Sequence, residues 1–247
     1  MTQNCIVVTG ASRGIGAAIA HQLAKSGYYV ACLSRSGSPP ARPGVPAGVG
    51  SRWIPVQADV TDAASLRVAF ETIVGRGLRV VGLVNNAGVH LDGPSAEVSL
   101  DHWREVLDTN ATSVLTTCQV AYPALLAAGG GLIVNIGSFF DKLGVKRNLA
   151  YCASKAAVGA ITRCLAVEWA SKGIRVIDVA PGYIQTDLNA ETMSSGPLRA
   201  YLEKRIPAGS PGTADDVASL VASLFVDGGR FLTGETIYID GAQGIAH

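Results

Sequence analysis

Seven short runs rich in β-branched residues alternate along the chain with longer segments of helical periodicity: Ile6–Thr9, Tyr29–Leu33, Trp53–Gln57, Val80–Val84, Leu132–Ile136, Arg175–Val179 and Thr236–Ile239. Strands separated by helices imply a parallel sheet. Several runs are apolar throughout, so helices are expected on both faces of that sheet, the doubly wound α/β arrangement. Residues 1–247 then make one domain with a seven-stranded parallel sheet of the Rossmann type. Ligands of such sheets bind beyond the carboxyl ends of the strands, which makes the strand-closing residues the first to inspect.

Composition excludes several classes of partner. With 48% hydrophobic residues, 16% charged residues and a net charge of +1, neither disorder nor a nucleic-acid-binding face nor an anionic membrane surface is expected. A small-molecule partner fits best. Cys5, Cys32, Cys118, Cys152 and Cys164 are odd in number, form no C-x-x-C pair and fall in apolar segments, which fits a reducing compartment. A core-like strand begins at Cys5 and no apolar run reaches membrane-spanning length, so a cytoplasmic protein without metal sites is expected. Residues 36–50, rich in Pro and Gly, read as an irregular crossover where the alternation calls for a helix.

The first strand is followed by Thr9-Gly10-Ala11-Ser12-Arg13-Gly14-Ile15-Gly16 and then by a helical segment. Glycines at 10, 14 and 16 let the backbone turn sharply and approach a pyrophosphate, whose charge the helix N-terminal amides stabilise. The second strand ends Leu33-Ser34-Arg35-Ser36 and lacks the acid that usually meets the ribose hydroxyls of NAD. Arg35 and Arg13 instead offer a clamp for a 2′-phosphate, which points to NADP(H) and leaves NAD(H) open; the plain alternative is two solvated surface arginines.

Tyr151 and Lys155 stand four apart in a helical segment, one turn apart on the same face. An ammonium there favours phenolate and would draw the tyrosine toward use as a general acid or base. Ser138 closes the fifth strand and Asn85-Asn86-Ala87-Gly88 closes the fourth, so independent motifs converge on one sheet edge. With Asp59-Val60, Asn110, Pro181-Gly182, Thr233-Gly234 and Asp240-Gly241, the chain resembles the short-chain dehydrogenase/reductase family along its whole length, and within it the 3-oxoacyl-acyl-carrier-protein reductases and related NADPH-dependent carbonyl reductases.

That resemblance implies a catalytic set of Asn110, Ser138, Tyr151 and Lys155. Tyr151 is the implied proton donor, Ser138 holds the substrate oxygen, Lys155 binds the nicotinamide ribose and depresses the Tyr151 pKa, and Asn110 anchors a relay water. It also implies a cofactor site built from Gly10, Ser12, Arg13, Gly14, Ile15, Gly16, Arg35, Asp59, Val60, Asn86, Ala87, Gly88, Tyr151, Lys155, Pro181, Gly182, Ile184 and Thr186, with Asn85 on the adenosine side. Asn110 and Ser138 have plainer readings as caps, and Asp59 as a partner for loop amides. The implied activity is reduction of a ketone or 3-oxoacyl thioester, with oxidation of a secondary alcohol, polyol or dihydrodiol by the same machinery as the alternative. Residues 187–205 match the family's variable substrate loop, where Leu188, Met193, Pro197, Leu198 and Tyr201 would form a partly apolar, mobile lid or a packed pair of short helices. Phe139, Phe140, Leu143 and Val145 either wall the substrate side or pack in the core. The segments Ala111 to Leu126 and 151–170 are apolar almost all round, which implies packing against another copy of the chain, and the resemblance implies a homo-oligomer of four copies, or two.

Overall fold

The computed structural model describes residues 3–187, 189–227 and 229–246. Seven parallel strands form its sheet: β1 (Gln3–Thr9), β2 (Tyr29–Ser34), β3 (Trp53–Gln57), β4 (Leu78–Asn85), β5 (Gly131–Ile136), β6 (Ile174–Pro181) and, after a separate two-residue pair β7 (Ile184–Gln185) and β8 (Gly212–Thr213), β9 (Thr236–Ile239). Their spatial order is β3-β2-β1-β4-β5-β6-β9, so the winding reverses between β1 and β4 and opens a crevice there.

Helices α1 (Gly14–Lys25), α2 (Ala47–Gly50), α3 (Ala63–Gly75), α4 (Leu100–Leu107), α5 (Ser113–Ala127), α6 (Leu149–Trp169), α7 (Ala190–Ser194), α8 (Gly196–Arg205) and α9 (Ala214–Val226) complete the chain. Side chains on successive strand residues point to opposite faces, so each apolar strand feeds two cores. Cys5, Val7, Leu33, Ile133 and Val176 pack with Phe70 of α3, Leu125 of α5 and Val158 and Trp169 of α6. Ile6, Val8, Val134, Ile177 and Val179 pack with Ile19 and Leu23 of α1 and Val221 of α9 on the other side. Fully burying one such Leu or Ile stabilises the fold by ~1.5–3 kcal/mol before entropy is counted.

The 36–50 crossover is irregular as expected, with only α2 at its end. It is nevertheless tied down: the Ala41 amide donates to the Ser12 carbonyl at 2.8 Å, and Arg42 pairs with Asp215 of α9 at 2.7 Å. Residues 190–205 form the pair α7 and α8, with Met193 and Leu202 buried against Ile206 while Leu198 and Tyr201 stay exposed. Of the two sequence readings of this segment the structure has the packed pair of short helices, since Met193 and Leu202 have their own small core; Leu188 lies outside the described residues. Cys5, Cys32 and Cys118 are buried free thiols as their apolar setting implied, but Cys164 is exposed, because it sits on the outer face of α6.

A capping box starts α9. The Asp216 amide donates to Thr213 Oγ1 at 3.2 Å, while the Thr213 amide and hydroxyl both donate to Asp216 Oδ2 at 2.7 Å. We expect Thr213→Ala to lower unfolding stability by ~1 kcal/mol in a denaturant titration. An unchanged midpoint would mean that packing against α1 alone sets the start of this helix.

Candidate active site

At the crevice the glycine turn, the β2 end and the β4 end enclose a cleft of about 800 Å³. Gly10, Ser12, Arg13, Gly14, Ile15, Gly16, Arg35, Asp59, Val60, Asn86, Ala87, Gly88 and Thr186 all line it, as do Glu105, Asp108 and Thr109, which the sequence reading missed. The turn fits a dinucleotide pyrophosphate for a steric reason. Gly10 has φ +63, and a Cβ there would come within 3.0 Å of Ala87 Cα; a Cβ on Gly16 would collide with the Gly10 carbonyl and with Asn86 Nδ2. The backbone is therefore bare where a ligand must come close.

Asn86 braces that turn. Its Nδ2 donates to the Thr9 and Gly10 carbonyls at 3.0 and 3.2 Å, and the amides of Asn86 and Ala87 both donate to Thr9 Oγ1 at 3.0 Å. Asn85, by contrast, points away from the adenosine side. Its Nδ2 donates to Asn135 Oδ1 at 2.9 Å and to Cys118 Sγ, and Asn135 Nδ2 in turn donates to Thr162 Oγ1 at 2.8 Å, so Asn85 belongs to a buried polar row between sheet and helices. The pleat decides this, since neighbouring residues of β4 face opposite sides.

Arg13 and Arg35 are exposed on the cleft wall, and among the described residues neither makes an ion pair. Asp59 Oδ1 accepts from the Thr61 amide and hydroxyl at 2.9 and 2.7 Å. Those bonds, with Arg35 adding to them, hold its carboxyl below the usual range. The loop-amide role of Asp59 and a place on the cleft thus coexist. Pro181, Gly182 and Ile184 do not line the cleft: Ile184 packs in the core, and Gly182 is pressed against Asp240, where a Cβ would lie 2.7 Å from its Cα.

Deeper in, three elements bring the remaining residues together. α4 runs into α5 through a π-helical turn, Asp108–Thr112, that buries Asn110. Asn110 Oδ1 accepts from the Val89 amide at 2.8 Å, and Nδ2 donates to the Val89 carbonyl at 2.9 Å and to Ser154 Oγ at 3.1 Å. It thereby clamps the β4 loop to α6, and both of its amide hydrogens are committed. The helix-cap reading fails, because Asn110 lies inside the π turn and its side chain reaches across to Val89. Ser138, in extended backbone after β5, does act as a cap, accepting from the Phe140 amide at 3.2 Å, and it also hydrogen-bonds Tyr151.

Tyr151 is enclosed by aromatic edges. His90 stands 4.7 Å and Phe140 6.0 Å from its ring by centroid, and Tyr183 packs on both Phe139 and Phe140. Phe139 and Phe140 are buried, which meets the core-packing reading of this pair, and Phe140 meets the Tyr151 ring edge-on. Burial pushes the Tyr151 pKa above its ordinary value, with the Ser138 hydrogen bond pulling the other way. The expected depression by Lys155 is therefore not the governing effect in this structure. Lys155 Nζ is turned to the Ile136 carbonyl at 2.8 Å and stands 5.6 Å from the centre of the Tyr151 ring. Burial drops Lys155 to about 8, opposed by the Asp178 carboxylate. The cleft adjoins this cluster at Val89, bonded to Asn110, and at Thr109, which precedes it.

The comparisons with known proteins agree with this architecture. A family model described as enoyl-(acyl carrier protein) reductase matches residues 10–242. The chain is 37% identical over 241 residues to a 3beta-hydroxysteroid dehydrogenase 1 of Eggerthella lenta, covering 96% of this chain and 92% of that protein. It is 35% identical over 246 residues to a 3-oxoacyl-acyl-carrier-protein reductase of Staphylococcus aureus, covering 98% of both. A solved structure of ElxO with NADP bound superposes with a TM-score of 0.90 at 29% identity, covering 100% of both chains. The chain belongs to the short-chain dehydrogenase/reductase family, NAD(P)-dependent oxidoreductases that interconvert CH–OH and C=O groups.

Proposed function

We propose that the protein reduces a ketone or 3-oxoacyl thioester to the secondary alcohol with NADPH. The observation that supports this direction is the setting of Tyr151, which hydrogen-bonds Ser138 among aromatic edges while burial pushes its pKa further up and favours the phenol, a proton donor suited to an oxygen that is gaining charge. The dinucleotide, when bound, supplies the hydride that goes to the carbonyl carbon. As the C=O π pair moves onto oxygen, Tyr151 releases its proton to that oxygen and Ser138 donates a hydrogen bond to it, where the developing charge makes both worth most. Lys155 would hold the nicotinamide ribose and, as an ammonium, stabilises the phenolate left on Tyr151. The proton is replaced from solvent through the Asn110 region, where Oδ1 retains a lone pair for a relay water.

The whole chain serves as one catalytic domain on this reading, with 187–205 selecting the substrate. The exposed Leu115 and Leu126 of α5 and Val167 of α6, the last 84% exposed, support their burial against further copies of the chain, four or two in all. Alcohol oxidation by the same residues is the competing direction, and the dehydrogenase name of the Eggerthella relative favours it.

NADPH oxidation by the purified protein, beside NADH, across 3-oxoacyl thioesters, cyclic and aliphatic ketones and diketones tests the reading. Turnover with NADPH supports it; silence across the panel with turnover of secondary alcohols and NADP⁺ reverses the direction. The cofactor half has its own test. Arg35 and Arg13 line the cleft and among the described residues neither makes an ion pair, so Arg35→Asp is expected to reduce the NADPH-over-NADH ratio of kcat/KM at least ~10-fold by replacing a phosphate-binding charge with a repelling one. An unchanged ratio would remove Arg35 from the 2′-phosphate site.

A further inference from the structure

We propose that Asp178 is a positioning residue for proton transfer, its buried carboxylate holding Lys155 in the ammonium form from beneath the active site. The proposal rests on the reading of Lys155 and Tyr151 given above, and it begins from an anomaly. Asp178 is a lone acid in the otherwise apolar run Ile177-Asp178-Val179-Ala180, and it is 0% exposed. Its register neighbours are Asn135 on β5 and Thr236 on β9. Ile177 and Val179 point into the α1/α9 core, whereas Val176 belongs to the core under α5 and α6, so Asp178 faces α6.

The fold leaves a slot for the carboxylate by omitting two side chains. A Cβ on Gly137 would lie within 3.0 Å of both oxygens, and a Cβ on Gly159 would lie 3.9 Å from Oδ2. Gly159 is one helical turn after Lys155 on the same face of α6, and Gly137 follows Ile136, whose carbonyl accepts from Lys155 Nζ at 2.8 Å. Carboxylate and ammonium thus both meet the Ile136-Gly137 stretch of backbone. Thr236 Oγ1 donates to Oδ2 at 3.2 Å and the Gly137 amide also favours the carboxylate, while Oδ1 has no hydrogen-bond partner among the described residues. A buried carboxylate held by one hydroxyl and the Gly137 amide is costly unless a charge compensates it, and Lys155, itself buried, is the cation that acts on it.

Other groups face the pair as well. Asp141, in the turn after β5, pushes Asp178 up, and the Tyr238 hydroxyl of β9 donates to Asp141 Oδ2 at 2.8 Å. Arg163 of α6 acts on Tyr238, and Tyr151 lies on the Lys155 face of the same helix. Burial raises Asp178 to about 6 against the pull of Lys155, so the carboxylate is charged in the range where Lys155, at about 8, titrates. Removing that charge must lower the Lys155 pKa. The ammonium is then lost at lower pH, and with it the stabilised phenolate.

The test compares wild type with Asp178→Asn, nearly isosteric, and with Asp178→Ser should the first not fold. Nζ resonances of ¹⁵N-lysine-labelled ligand-free protein are titrated, the Lys155 signal being identified by its loss in Lys155→Met. NADPH-dependent reduction rates are followed over the same pH range. We expect the Lys155 midpoint to fall by roughly one pH unit, a ~10-fold loss of proton affinity, and the alkaline limb of the rate to fall with it. An unmoved midpoint overturns the proposal, and so does a rate lowered equally at every pH, the mark of a merely structural role. If the midpoint falls but Lys155→Met keeps wild-type turnover, the charge link stands and the proposed role of Lys155 in catalysis fails.

Discussion

Tyr151→Phe is expected to lower NADPH-dependent turnover by ~10²–10⁴-fold, the usual contribution of a positioned general acid, while NADPH affinity changes less than about twofold. The two effects separate because the hydroxyl and the ring do different work. The ring is held by its neighbours: His90 and Phe140 meet it edge-on and Lys155 lies over it, and Phe fills the same volume with the same edges. The cleft proposed for the dinucleotide is lined by the glycine turn, Arg13, Arg35 and Asn86, and stands apart from the hydroxyl's bond to Ser138. Only the proton and the Ser138 hydrogen bond disappear. Single-turnover rates and fluorescence titration of NADPH check the two halves. Near-normal turnover would show that water or another group protonates the oxygen, and a large loss of affinity would show that the hydroxyl holds the cofactor.

Much of the fold was legible because β1, β2, β5 and β6 are buried on both faces, and an apolar run bounded by glycines or charges needs no long-range knowledge to be read as a strand. The glycine turn was legible for the same local reason. What escaped depends on direction or on distant contacts. β7 and β8 have two residues each, too few to show any period. The π turn at Asp108–Thr112 follows from how α4 joins α5, which spacing does not reveal. Asn85 and Asn86 are adjacent in the chain, yet one joins the buried row and the other braces the glycine turn, because successive residues of extended chain point to opposite sides. The Tyr151–Lys155 spacing gave proximity but not the aim of Nζ, which the Ile136 carbonyl captures, so burial rather than the neighbouring ammonium governs the phenol. Asp178 was not among the candidate residues, because its place in the site depends on Gly137 and Gly159, neither near it in sequence.

Gly16→Ala is expected to weaken NADPH binding at least ~10-fold and to destabilise the protein by ~1–3 kcal/mol, a large effect for one methyl group. Gly16 lies in the first turn of α1, buried under the loop it follows, and an added Cβ would fall inside contact distance of two atoms at once. Neither can retreat freely. The Gly10 carbonyl belongs to a residue already at φ +63 and accepts from Asn86 Nδ2 at 3.2 Å, and that same Nδ2 is the second atom struck. Relief requires α1 to move off β1 or the Asn86 brace to break, and either shift turns the helix N-terminal amides away from the pyrophosphate position. With ~2–4 °C of melting temperature per kcal/mol for a chain of this size, thermal unfolding reads the stability loss without ligand and fluorescence titration reads the affinity. The affinity loss should exceed what partial unfolding at 25 °C explains, since a folded variant with a displaced turn still binds poorly. Affinity within twofold of wild type would mean that the turn accommodates the methyl group and that close packing at this position does not set the cofactor site.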